Sequence, residues 1–139
     1  MRTRADALYR IAWRHAHALP TPLGYGLSRA GADAVWTVQR LRRGRTGVDQ
    51  LEKNLARLLP ASATAAQVRR TSRAGMRSYM RYFYEAFALP GVREEQILAR
   101  VRPELPPQVH TDLKQGSIVL AMSHMGNWDL VGAWACRRL

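Results

Sequence analysis

The chain has 139 residues, long enough for one domain with a sizeable core. Its 22 Lys+Arg against 10 Asp+Glu give a formal net charge of +12, carried almost wholly by arginine, and such an excess predicts an acidic partner: nucleic acid, a membrane surface or a phosphorylated substrate. Cys136 is the only cysteine, which excludes an intrachain disulfide; no stretch reaches the roughly 18 to 20 apolar residues of a spanning helix, and arginines stand where a signal peptide would carry its apolar core, so a reducing compartment and at most a surface attachment to a membrane are expected.

From Arg4 to Ala18, Leu8, Ile11 and Ala12 recur at helical spacing, with Tyr9 and Trp13 four apart beside them. Pro20 and Pro22 break that pattern, and a second helix is expected from about Leu27 to Arg43, with Ala30, Ala34, Val38 and Leu41 on one side and Trp36 elsewhere. Aromatics flanked by arginine suit a helix lying in a lipid headgroup layer, and equally an amphipathic helix packed on a core. After the turn Arg43-Gly44-Arg45-Thr46-Gly47, a short helix carries Leu51, Leu55, Leu58 and Leu59 and ends at Pro60. The longest helix is expected over Ala65 to Leu89, with Val68, Ser72, Met76, Tyr79, Phe83 and Phe87 as its buried face. Arg69, Arg73, Arg77 and Arg81 recur in steps of four and form a slowly drifting basic stripe on another face. That stripe could hold the phosphates of a coenzyme or lipid headgroup, or be a solvated face.

Beyond Pro90 the chain is broken by Gly91, Pro103, Pro106 and Pro107, with a short strand expected near Ile97 to Val101. Asp112 to Gln115 lead into Gly116, a helix stop. The run Ser117 to Met122 lacks polar alternation, as a strand covered on both faces would, and a helix follows it. The fold class expected is therefore α/β: N-terminal helices, then the start of a mixed or parallel sheet flanked by helices and incomplete at the C-terminus. Residues 1–139 read as the N-terminal part of a single domain, with 1–45 as helices suited to membrane contact, 46–90 as helical, and 91–139 as the start of the sheet. Leaving Ile118, Val119 and Leu120 uncovered would forfeit about 1.5 to 3 kcal/mol for each side chain. Such a chain is expected to be marginally stable by itself.

At the exit of the expected strand stands Ser123-His124-Met125-Gly126-Asn127-Trp128-Asp129. Side chains five apart on a helix diverge by roughly 140°, so His124 and Asp129 cannot meet within one straight helix. They meet if His124 sits on the turn and Asp129 in the first helical turn. Gly126 supplies the backbone freedom for that turn, Asn127 is a good cap, and a carboxylate near a helix N-terminus is favoured by the dipole. Asp129 would then fix the imidazole tautomer and leave His124 as a general base. Cys136 reads as a small core residue, Trp128 and Trp134 as packing the last helix onto the sheet, and His15, His17 and His110 as surface residues; nothing has metal-ligand spacing.

The seven-residue string, with four residues between His124 and Asp129, resembles the His-x-x-x-x-Asp/Glu motif of the lysophospholipid acyltransferase superfamily. It is most similar to the branch holding the lipid A lauroyl transferases and the actinobacterial phosphatidylinositol mannoside acyltransferases. Asn54-Leu55-Ala56-Arg57-Leu58-Leu59-Pro60, and Arg77-Ser78-Tyr79-Met80-Arg81-Tyr82 leading to Glu85 and Leu89-Pro90, match that branch in the same order. The resemblance covers nearly the whole chain, although family members are considerably longer. It implies transfer of a fatty acyl chain from acyl-CoA, or an acyl carrier protein, to a sugar hydroxyl of phosphatidylinositol mannoside at the cytoplasmic face of the cell membrane. His124 would be the base and Asp129 its orienting carboxylate. Gly126, Asn127, Arg77 and Arg81 would contact substrate, with the Gly126 and Asn127 N–H groups near the oxyanion. Acyl-CoA would be the co-substrate with no other cofactor, and an anionic glycolipid and a membrane surface the partners, without nucleic acid. The 139 residues alone are expected to show no turnover. Lipid A acylation, and a non-catalytic basic module gripping anionic lipid or nucleic acid, are the alternatives.

Overall fold

The computed structural model describes the backbone of residues 4–42, 44, 46–119, 121–123 and 125–139, and their side chains except those of Arg4, Ala5 and Leu8. Its α-helices are, in chain order, α1 (Arg4–His15), α2 (Thr21–Leu41), α3 (Gly47–Leu58), α4 (Ala65–Ala88), α5 (Glu94–Arg100), α6 (Pro107–Gln115) and α7 (Trp128–Arg138). Among the described residues there is no β strand, which overturns the expected α/β class. Residues 117–119, 121 and 122 have no regular structure, with Val119 96% and Met122 49% exposed. The physical reason is pairing: an extended segment satisfies its backbone only beside another strand. The other strand candidate instead lies in α5, whose start is closed by the Gln96 side chain accepting from the Arg93 N–H at 3.3 Å, with Glu94 and Glu95 in the first turn. Ile97, 1% exposed, is a core residue of that helix.

The described residues form two compact units. The unit Leu19–Tyr84 contains α2, α3 and most of α4. Pro20 and Pro22, expected as breaks, begin α2: Pro20 is its N-cap and Pro22 lies in the first turn, where a missing N–H removes no helical bond. The buried residues of α2 are Gly24, Ser28 and Ala32, while Ala30, Ala34, Val38 and Leu41 are exposed. Small residues win this face because α4 approaches closely. The Tyr84 ring occupies the space that a Cβ on Gly24 would need. Ser28 Oγ donates to the Gly24 carbonyl at 2.8 Å, and Trp36 Nε1 donates to the fully buried Ser72 Oγ at 3.0 Å. Because Gly24 meets Tyr84 while Trp36 meets Ser72, the two helices run antiparallel. At the start of α3, Thr46 and Asp49 form a reciprocal capping box, and Val48 is fully buried with its N–H on Gln39 Oε1 at 3.1 Å.

The other unit takes the described residues up to Ala18 together with Glu85–Leu139. Its aromatic centre is Phe87, met edge-on by Tyr9 at 4.9 Å and Trp13 at 5.8 Å between ring centroids. Tyr9, Ile11 and Trp13 nevertheless remain more than half exposed. Trp134 of α7 is buried, but no sheet lies beneath it among the described residues, and Cys136, expected in a core, is exposed. His15, His17 and His110 are at the surface as expected.

Candidate active site at the start of the last helix

The residues preceding α7 are shaped by two local requirements of the backbone. Gly126 has φ of 65°, a left-handed conformation that a side chain would strain even though a Cβ there would meet nothing within 4 Å. The following Asn127 caps the helix, its Oδ1 accepting from the Leu130 N–H at 3.0 Å. Its Nδ2 donates to Glu85 Oε2, also at 3.0 Å, so the last turns of α4 hold the amide that starts α7. Asp129, half-buried, lies in the first turn. The N–H groups of Gly126 and Asn127 donate to no described residue. The turn, cap and first-turn carboxylate thus stand as their sequence spacing requires. His124 lies outside the described residues.

Arg77 and Arg81 belong to the Leu19–Tyr84 unit and face a different set of partners. Arg77 donates through Nε and Nη2 to both oxygens of Asp33, each at 2.7 Å, and Arg73 does the same at 2.8 Å. Hydrogen bonds from Arg77 first, then Arg73, hold the Asp33 carboxyl well below the usual carboxylate range, and Asp33 in turn raises Arg77. Arg81 lies over the Tyr25 ring at 5.1 Å. Of the expected basic stripe, Arg73 and Arg77 therefore form a clamp across α2 and α4. Sequence reasoning missed Asp33 in this role, although it is the only acidic residue of α2. It also missed that Glu85 supports the cap, a pairing separated by 42 residues that no local signal reveals.

At the start of α7 a left-handed glycine, a capping asparagine and a first-turn carboxylate follow an apolar run. The chain matches the model of the bacterial lipid A biosynthesis acyltransferases over residues 1–138, and it belongs to that family. It is 32% identical over 133 residues to a phosphatidylinositol mannoside acyltransferase of Mycolicibacterium smegmatis, covering 93% of this chain and 40% of the relative. It is likewise 32% identical over 142 residues to one from Mycobacterium tuberculosis, covering 99% of this chain and 42% of that protein. The chain thus spans about two fifths of the length of these relatives. No solved structure gives a significant match. Among the described residues no helix is long and apolar enough to cross a membrane.

Proposed function

We propose that the protein to which these residues belong transfers a fatty acyl chain from acyl-CoA to a sugar hydroxyl of phosphatidylinositol mannoside. The observation that carries this reading is the helix start at Gly126, Asn127 and Asp129, joined to a family whose relatives bear that name. His124 acts as general base and takes the proton of the acceptor hydroxyl as its oxygen attacks the thioester carbonyl; Asp129 orients the imidazole. General-base assistance of this sort contributes typically ~10² to 10⁴ in rate. The N–H groups of Gly126 and Asn127 stabilise the oxyanion, and collapse of the tetrahedral intermediate expels the coenzyme thiolate. No cofactor beyond the acyl-CoA co-substrate enters.

The reaction takes place at the cytoplasmic face of the cell membrane, on which the protein rests peripherally. Support comes from Tyr9, Ile11 and Trp13, exposed beside Arg10 and Arg14 on α1. The test uses the full-length protein with radiolabelled fatty acyl-CoA and vesicles holding phosphatidylinositol mannoside. Label should pass to the mannoside, and His124→Ala should abolish transfer while leaving vesicle binding intact. Joint loss of transfer and binding, or transfer to a lipid A precursor alone, would overturn the assignment.

A further inference from the structure

An open cleft of about 310 Å³ lies between α2 and α4 and is lined by Tyr25, Arg29, Arg77, Ser78 and Arg81. Three of the five are arginines, two carry hydroxyls, and none is acidic. Its walls are held by packing that a ligand need not supply. Asp33 takes the Nε and Nη2 edge of Arg77, which fixes that guanidinium and leaves both Nη1 hydrogens unused by the clamp. Arg81 rests on Tyr25, and Tyr25 meets Tyr84 edge-on at 5.6 Å between centroids. Tyr84 is seated against Gly24, with its hydroxyl 3.4 Å from the Leu19 carbonyl. Arg29 is exposed and has no carboxylate partner among the described residues.

The donor set selects the ligand. A carboxylate offers two coplanar oxygens, and in this unit two guanidinium forks already satisfy one, at Asp33. The cleft instead presents forks and hydroxyls from two different helices, a spread that matches the several acceptor oxygens of a tetrahedral oxyanion. An apolar ligand would offer no acceptor to the Arg29 guanidinium or to the Nη1 hydrogens of Arg77.

We propose that this cleft is a phosphate-binding site, in which Arg29, Arg77 and Arg81 neutralise the charge and Tyr25 and Ser78 donate to the remaining oxygens. The phosphate belongs either to a soluble coenzyme or to a lipid headgroup. The proposal rests on and deepens the substrate reading above, and all five residues lie in the Leu19–Tyr84 unit, so binding at the cleft can be tested apart from acyl transfer.

The test measures binding of the protein to inorganic phosphate, to coenzyme A, and to phosphatidylcholine vesicles with and without phosphatidylinositol. Arg29→Gln and Arg81→Gln should each weaken binding of the preferred probe by about tenfold, the cost of one charge-assisted contact. Arg70→Gln, which removes the same charge from an exposed position on α4 outside the cleft, should leave it within about twofold. Binding of coenzyme A without vesicle binding identifies the soluble source, and phosphatidylinositol-dependent vesicle binding identifies the headgroup; either supports the site. Far-UV circular dichroism melts separate lost binding from lost fold, and Arg29→Gln, which breaks no described contact, decides if Arg81→Gln unfolds. The proposal is overturned if no probe binds, if Arg29→Gln binds as the parent does, or if Arg70→Gln loses as much. Acyl transfer that persists in Arg29→Gln despite parental probe binding would sink the cleft alone; probe binding that persists in a transfer-dead His124→Ala protein would leave it standing.

Discussion

Asn127 does two jobs with one amide, and the two can be separated by substitution. Asn127→Ala removes the acceptor of the Leu130 N–H and the donor to Glu85. Loss of a side-chain cap costs about 1 kcal/mol, within a range of roughly 0.5 to 2. The bond to Glu85 is half-buried, so the upper values for hydrogen bonds to charged groups do not apply, and about 1 kcal/mol is appropriate. Together Asn127→Ala should destabilise by about 2 kcal/mol. Asn127→Ser keeps a capping oxygen while losing the reach to Glu85, and should cost about half as much. Asn127→Asp keeps the cap and suits the helix dipole, but sets a second carboxylate against Glu85 and should fall between them. Urea unfolding followed by tryptophan fluorescence gives the free energies, and amide exchange at Leu130 gives the local readout. Exchange at Leu130 should quicken in the alanine variant and stay slow in the serine one. Equal destabilisation by serine and alanine, or unchanged Leu130 protection in Asn127→Ala, would refute the division of roles.

Three further outcomes follow from the packing. Gly24→Ala should destabilise by about 1 to 3 kcal/mol in urea unfolding, because the new Cβ displaces the Tyr84 ring and strains the wall of the cleft. Ser72→Ala leaves the half-buried Trp36 indole N–H without its acceptor, and should cost about 1 kcal/mol with a shifted tryptophan emission. Asp33 has its pKa depressed in the folded state, so its ion pairs contribute fully above the unfolded carboxyl pKa of about 4 and weaken as pH falls below it. Asp33→Asn should therefore lower the melting temperature at neutral pH and flatten its decline below about pH 4; an unchanged acid slope would show that the clamp adds nothing.

What the sequence disclosed about the helices divides by the range of the interactions involved. The long helix at Ala65 was legible because its period and flanking breaks are local, and the structure places it at Ala65–Ala88. Its expected face held at Ser72 and Phe87, both buried, and failed at Tyr79, which is 56% exposed. On α2 the apolar period pointed to the wrong side. Ala30, Ala34, Val38 and Leu41 carry the larger hydrophobic content, but closeness of approach to α4 favours Gly24, Ser28 and Ala32, and that approach depends on Tyr84, sixty residues along the chain. Proline was misread for a related reason: Pro22 reads as a breaker in the middle of a pattern and as a starter once the preceding residues leave the helix.

The same division explains why the start of α7 was legible while the expected strand before it was not. A left-handed glycine, an asparagine cap and a first-turn carboxylate each answer to neighbours within three residues, so Gly126, Asn127 and Asp129 take up their places from local chemistry. The apolar run Ser117 to Met122 carries no such instruction. Its composition is compatible with a buried strand, yet a strand is a relation between two segments, and the one other segment with a claim to it closes into α5 through Gln96 and its acidic first turn. The start of α7 is therefore specified without the sheet, by the capping amide and by Glu85 reaching it from α4. On this account Glu85→Ala should loosen the start of α7, read as faster exchange at Leu130, while leaving the capping box of α3 untouched; undisturbed exchange would show that the cap stands by itself.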